Sequence, residues 1–87
     1  MGEKLTLNDG TILNNSHALL SDGSLFIYVQ QEGMTINSFF GLFSDPNKTV
    51  KIIYTQVNGE DITFTKYKKL MAVRDEENGL FTAVLKQ

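Results

Sequence analysis

The chain has 87 residues, with 8 Lys and Arg against 10 Asp and Glu, for a formal net charge of −2. That length holds one modest hydrophobic core and hence one domain, and the slightly acidic balance argues against a general nucleic-acid binder or a membrane-surface protein. With no cysteine in the chain, a disulfide framework, a cysteine-ligated zinc site and a thiol nucleophile are excluded together.

Four turn dipeptides punctuate the sequence: Asp9-Gly10, Asp22-Gly23, Asn58-Gly59 and Asn78-Gly79. Each lies between runs rich in β-branched and aromatic residues. Asn or Asp followed by Gly readily supplies the two positive φ angles of a two-residue type I′ turn. In chain order the pattern predicts strands over 3–8, 11–20 and 24–30, then a short helix, then strands over 49–57, 60–67, 69–76 and 80–86. The helix follows from Ile36, Phe39, Phe40 and Phe43, which recur at the spacing of one helical face. Thr35 suits its N-cap. Pro46 ends it, because proline disfavours helical geometry at Asp45 and has no amide to donate. The expected fold class is mainly β, of the α+β type: antiparallel hairpins, about seven strands in a small barrel- or sandwich-like sheet, and one short helix after the third strand. Residues 1–87 form a single compact domain in this reading.

A two-residue loop also fixes which residues face each other. About Asp22-Gly23, Leu20 meets Leu25, Ala18 meets Ile27 and Ser16 meets Val29, while Leu19 meets Phe26 and His17 meets Tyr28 on the other face. About Asn58-Gly59, the same rule places Thr55 opposite Ile62, Tyr54 opposite Thr63 and Ile53 opposite Phe64. About Asn78-Gly79 it places Val73 opposite Val84 and Ala72 opposite Leu85, and in the first hairpin Asn14 opposite Leu5. Apolar residues then occupy both faces of several strands, more than one short helix can cover. The surplus face either closes the sheet into a barrel or sandwich or is buried against a partner; carried by His17, Leu19, Phe26 and Tyr28, it is the candidate interaction surface for a protein partner or a second copy of the chain. A bulge near 14–17 or 65–69 would redistribute these faces.

Residues able to carry chemistry are few. His17 is the one imidazole; its expected neighbours are Tyr28 and strand backbone, and no serine sits in a strand-to-helix elbow, so it reads as a structural or interface histidine. The acidic run Asp75-Glu76-Glu77-Asn78 lacks calcium-loop spacing, and its alternate residues point to opposite faces of a strand, so it reads as a solvated strand end. Lys66, Tyr67, Lys68 and Lys69 form a basic cluster holding one aromatic ring. Small β-barrels bind single strands with such combinations, and a single-stranded nucleic-acid-binding barrel using these four residues is the alternative reading. No catalytic residue, metal ligand set, cofactor or small-molecule substrate is indicated. No apolar run is long enough to span a membrane, and the protein is expected to be cytoplasmic at synthesis.

Three stretches read together carry a family likeness: residues 5–11 (LTLNDGT), residues 43–56 (FSDPNKTVKIIYTQ), and residues 67–75 (YKKLMAVRD) with the Asn78-Gly79 hairpin after them. The set resembles small uncharacterised proteins encoded in prophages of Gram-positive gut bacteria, among the tail and lysis genes. The resemblance implies a tail-associated or assembly accessory protein, associated with the virion. It transfers no functional residue. The expectation is a non-enzymatic interaction or structural module.

Overall fold

The computed structural model describes residues 3–65 and 67–87. Among these, eight strands and two short helices occur in the order β1 (Lys4–Leu7), β2 (Ile12–Asn14), β3 (Ser16–Ser21), β4 (Ser24–Gln30), α1 (Ile36–Ser44), α2 (Pro46–Thr49), β5 (Lys51–Thr55), β6 (Asp61–Thr65), β7 (Lys69–Glu77) and β8 (Leu80–Lys86). The strands form two antiparallel four-stranded sheets, ordered β2-β1-β5-β6 and β3-β4-β8-β7. The mainly β, α+β class and the hairpin architecture hold. Eight strands replace the expected seven and two short helices the expected one, and of the barrel- or sandwich-like shapes expected, the strands form two open sheets and no closed barrel.

The extra strand arises at Asn15. Its φ of +53 breaks the predicted 11–20 strand into β2, in the first sheet, and β3, in the second. Asparagine enters the left-handed region more readily than most side chains. The corner is closed by hydrogen bonds on every side: the Gln30 amide donates to the Asn15 carbonyl at 3.0 Å and the Ser16 amide to the Glu3 carbonyl at 3.3 Å. The buried Ser16 hydroxyl donates to the Leu13 carbonyl at 2.7 Å. A strand that changes sheets at such a bend is a common way to turn the edge of a sandwich.

Two of the four turn dipeptides behave as predicted. Asp22 and Asn78 have φ near +50 and are followed by glycines of positive φ, as a type I′ turn requires. The β3–β4 register is the predicted one throughout, from Ser21 opposite Ser24 to Ser16 opposite Val29. The other two loops are one residue longer. The Gly59 amide donates to the Gln56 carbonyl and the Gln56 amide to the Glu60 carbonyl, enclosing three loop residues of which only Gly59 has positive φ. This is a type I turn closed by a left-handed glycine, and the loop at residues 8–10 repeats it. One extra loop residue moves every pair by one position and exchanges the faces. Tyr54 therefore lies opposite Ile62, Ile53 opposite Thr63, Thr55 opposite Asp61, and Leu5 opposite Leu13 rather than Asn14.

The exchange restores a clean alternation to the first sheet. Leu5, Leu7, Leu13, Ile52 and Tyr54 are buried on its inner face, while Lys4, Thr6, Lys51, Ile53, Thr55, Thr63 and Thr65 share the outer one. In β7, irregularities between Leu70 and Ala72 and between Asp75 and Glu77 shift the register against β8. Val73 thereby meets Ala83, Ala72 meets Val84 and Leu70 meets Leu85, correcting the pairs expected from the Asn78-Gly79 turn.

The core lies between the sheets and under α1. Leu25, Ile27, Val29, Phe81, Ala83 and Leu85 bury the inner face of the second sheet. Phe39 and Phe43 of α1 pack on it, with Phe39 5.1 Å from Phe43 and 5.3 Å from Phe81 between ring centroids. Thr35 caps α1 as its position suggests, accepting from the Ser38 amide at 3.1 Å. Asp45 is extended, as a residue before proline should be. The same proline also starts α2, with the Asp45 carboxylate accepting from the Asn47 amide at 2.9 Å. An Asp-Pro start of this kind uses proline where its missing N–H costs nothing, so the 44–47 stretch ends one helix and begins another.

Substitutions at two positions test this account by thermal or denaturant unfolding. Asn15→Val forces a β-branched side chain into the left-handed region and is expected to cost about 1–2 kcal/mol, whereas Asn15→Gly is expected to be nearly neutral. Phe39→Ala removes a fully buried ring where α1 meets the second sheet and is expected to cost about 3–5 kcal/mol.

Candidate functional site

With α1 and the first sheet on the inner side of the second sheet, no element among the described residues covers its outer face. The β3–β4–β8–β7 registers bring His17, Leu19, Phe26, Tyr28, Thr82, Val84, Ala72 and Arg74 onto that face. All four residues of the predicted interaction surface are therefore neighbours. Leu19 is 49% exposed, and Phe26, Tyr28 and Val84 are half-buried by one another rather than by an overlying layer. Between them runs a shallow groove of about 300 Å³, lined by Phe26, Tyr28, Ala72, Val73, Arg74, Thr82 and Val84.

One border of this groove is polar. The bulge near Asp75–Glu77 turns Glu76 across the sheet, where its carboxylate accepts from the Thr82 hydroxyl at 2.6 Å and lies 3.5 Å from the Arg74 guanidinium. A mostly apolar groove with a few directed polar groups is the common form of a recognition surface. Arg74, Glu76, Thr82 and Val84 were not among the sequence candidates. The bulge brings Arg74 and Glu76 here, and turn residues do not reveal a bulge.

His17 stands at the end of this face and reaches the first sheet. Its Nδ1 lies 2.8 Å from the Tyr54 hydroxyl and 3.4 Å from Glu3 Oε1, and its ring meets Tyr54 edge-on at 5.4 Å. The Tyr54 hydroxyl also hydrogen-bonds Glu3 Oε2. With the hydroxyl donating its hydrogen bond to the carboxylate, the Nδ1–H tautomer of His17 donates to the tyrosine oxygen. Burial, and then the hydrogen bond and negative charge of Glu3, push the Tyr54 hydroxyl well above its usual 10.0. A phenol held in its protonated form by a carboxylate is a poor nucleophile or base, and its partners are committed to it. The cluster joins the two sheets; its geometry is that of a latch. The expected register gave no sign of it, because a two-residue Asn58-Gly59 loop sets Tyr54 opposite Thr63, whereas the structure sets it opposite Ile62 on the apolar side.

In the basic cluster of the alternative reading, the aromatic ring is not free. Lys68 and Lys69 are exposed, but Tyr67 is only 5% exposed and packs edge-on to Phe64 at 6.3 Å, leaving no free ring for a base to stack on. Lys66 lies outside the described residues. The acidic run Asp75, Glu76, Glu77 borders a wider groove of about 720 Å³ with Gln31, Glu32 and Met34. Among the described residues, no three His, Asp or Glu side chains converge on a metal position, and no helix is long and apolar enough to cross a membrane. Compared with known protein families, curated proteins and solved structures, the chain matches none.

The raised Tyr54 value has a definite sign. A hydroxyl harder to ionise in the folded chain than in the unfolded one stabilises fully below the unfolded value and loses that contribution as pH rises past it. Stability is thus expected to fall as pH climbs beyond 10.0, and Tyr54→Phe should remove the Tyr54 share of that fall. At neutral pH the same substitution strips two hydrogen bonds from the latch at a cost of about 1–2 kcal/mol. Denaturant titrations at neutral and alkaline pH measure both effects.

Proposed function

We propose that the protein is a non-enzymatic interaction module whose contact surface is the outer face of the second sheet. The observation that supports this reading is the side-by-side arrangement of Leu19, Phe26, Tyr28 and Val84 on a face that no other described element covers. The first sheet supplies the contrast. Its outer face is mostly threonine, lysine and aspartate, with Ile12 and Ile53 as separate apolar positions on it. An apolar patch grouped on one face while the other is largely polar is the pattern of a docking surface. The Arg74–Glu76–Thr82 border supplies directed polar contacts, which fix register more than they add affinity.

The resemblance to prophage proteins supplies the setting for this proposal, a tail-associated or assembly accessory role in which the face meets another structural protein. Neighbouring tail and lysis genes would support that setting, and neighbouring metabolic genes would contradict it. The burial of Tyr67 weighs against the nucleic-acid alternative.

Leu19→Asp tests the surface, with Ile12→Asp as its control. Both residues are about half exposed, at 49% and 51%, and they lie on different sheets. Both variants are expected to keep the wild-type melting temperature to within a few degrees. In affinity capture from cells expressing the protein, Leu19→Asp is expected to lose a protein that wild type and Ile12→Asp both retain. Equal retention by all three would contradict the proposal.

A further inference from the structure

The two sheets present four edge strands, and three are blunted in ways that natural sheets commonly use. β2 has three residues and ends at the Asn15 corner. β3 is tied at its start to the Glu3 carbonyl, and its next outward-facing residue, Ala18, is buried. β7 is interrupted by two register shifts and carries Lys69, Arg74, Asp75, Glu76 and Glu77. β6 differs from all of them. Its five residues, Asp61–Thr65, run without a bulge, contain no proline or lysine, and have β5 as their only substantial neighbour among the described elements.

The direction of the free groups on β6 follows from its hairpin. Gln56 and Glu60 are bonded through the Gln56 amide, so the alternation of an antiparallel ladder makes Tyr54–Ile62 and Ile52–Phe64 the next bonded pairs. The amides and carbonyls of Asp61, Thr63 and Thr65 therefore point away from β5, and all three residues are exposed. These unpaired groups form a template for another strand.

We infer that β6 pairs with β6 of a second copy, antiparallel about a twofold axis at Thr63, joining two first sheets into one continuous sheet. This register follows from the strand itself. With Thr63 opposite Thr63 of the second copy, Asp61 faces Thr65, and each outward amide meets an outward carbonyl. On the outer face the axis brings threonine onto threonine, a favourable cross-strand pair. On the inner face Ile62 meets Phe64 of the second copy. The strand's one charge, Asp61, faces a threonine instead of a second carboxylate, so no like charges oppose across the seam. Ile62, 41% exposed, lies on β6 itself, and the seam gives it Phe64 of the second copy as a neighbour. This edge is distinct from the face assigned above to another protein, so a dimer leaves that face free.

The absence of cysteine allows a register-specific test. A bonded cross-strand pair has its Cα atoms about 5.5 Å apart, within the span a disulfide bridges. Thr63→Cys alone is therefore expected to yield a covalent dimer quickly under a mild oxidant. Asp61→Cys alone should not, because in this register equal positions away from the axis are about 13 Å apart, whereas an equal mixture of Asp61→Cys and Thr65→Cys should cross-link. Sedimentation of the cysteine-free chain between about 10 µM and about 1 mM is expected to show a monomer–dimer equilibrium. Thr63→Pro removes an outward amide without touching a bond to β5, and Thr63→Lys sets two ammonium groups across the axis while keeping the amide. Each is expected to weaken association at least about tenfold with the monomer's circular dichroism unchanged. A monomer throughout that range, association unaffected by both substitutions, or cross-linking at Asp61→Cys as fast as at Thr63→Cys would overturn the proposal.

Discussion

The structure depends on one core being shared by two small sheets, and that sharing begins at Asn15. Neither sheet could stand alone, because four short strands bury too little apolar surface without a second layer. By turning through a single left-handed residue, the chain passes from β2 into β3 without a connecting loop. The inner faces of both sheets are thereby held within reach of each other. Leu13 ends one sheet's contribution and Ala18 begins the other's, both buried. The Glu3–Tyr54–His17 latch spans the same junction from its side-chain end, and α1 closes the far part of the core with Phe39 and Phe43.

The consequences for the surface follow directly. A chain with one core has one buried face per sheet, so each outer face is free to be wet or to meet something. The first sheet took the wet solution, with threonine and charged residues alternating against its buried leucines. The second did not, and kept leucine, phenylalanine, tyrosine and valine on its outer side. Since the core is already filled from the inner faces, those side chains contribute little to it. That is the physical basis for proposing them as a recognition surface.

Much of this was legible in the residues. The Thr35 cap, the phenylalanine spacing of α1 and the extended Asp45 follow from local chemistry, and the β3–β4 register followed from Asp22-Gly23 because both loop residues adopt positive φ. The same signal misled at Asn58-Gly59, where only the glycine does. Asparagine followed by glycine serves a two-residue and a three-residue loop equally well, and alternation in the flanking strands has to decide between them. Leu5 with Leu13, and Tyr54 and Ile52 with Ile62 and Phe64, would have favoured the longer loops, since only those place each apolar set on one side. A break near 14–17 was open from the sequence, and Asn15 is a residue type that tolerates the left-handed turn, whereas nothing but tertiary packing distinguishes the irregularities in β7 from an uninterrupted strand. As a result the sequence placed His17, Leu19, Phe26 and Tyr28 on one face, did not reveal the groove border of Arg74, Glu76 and Thr82, and set Tyr54 opposite Thr63 instead of Ile62. Tyr67 illustrates the opposite limit: a ring within a basic run looks exposed in sequence, and its packing on Phe64 removes it from the surface.

The central claim is that the apolar outer face of the second sheet contacts another protein while the largely polar outer face of the first does not. Site-specific photo-cross-linking in living cells tests it most directly, with a photoreactive side chain placed at Leu19 or Val84 on one face and at Thr6 or Ile53 on the other. The account predicts a discrete cross-linked species from the first pair and none from the second. Cross-linking only from Thr6 or Ile53, or none from Leu19 and Val84, would contradict it.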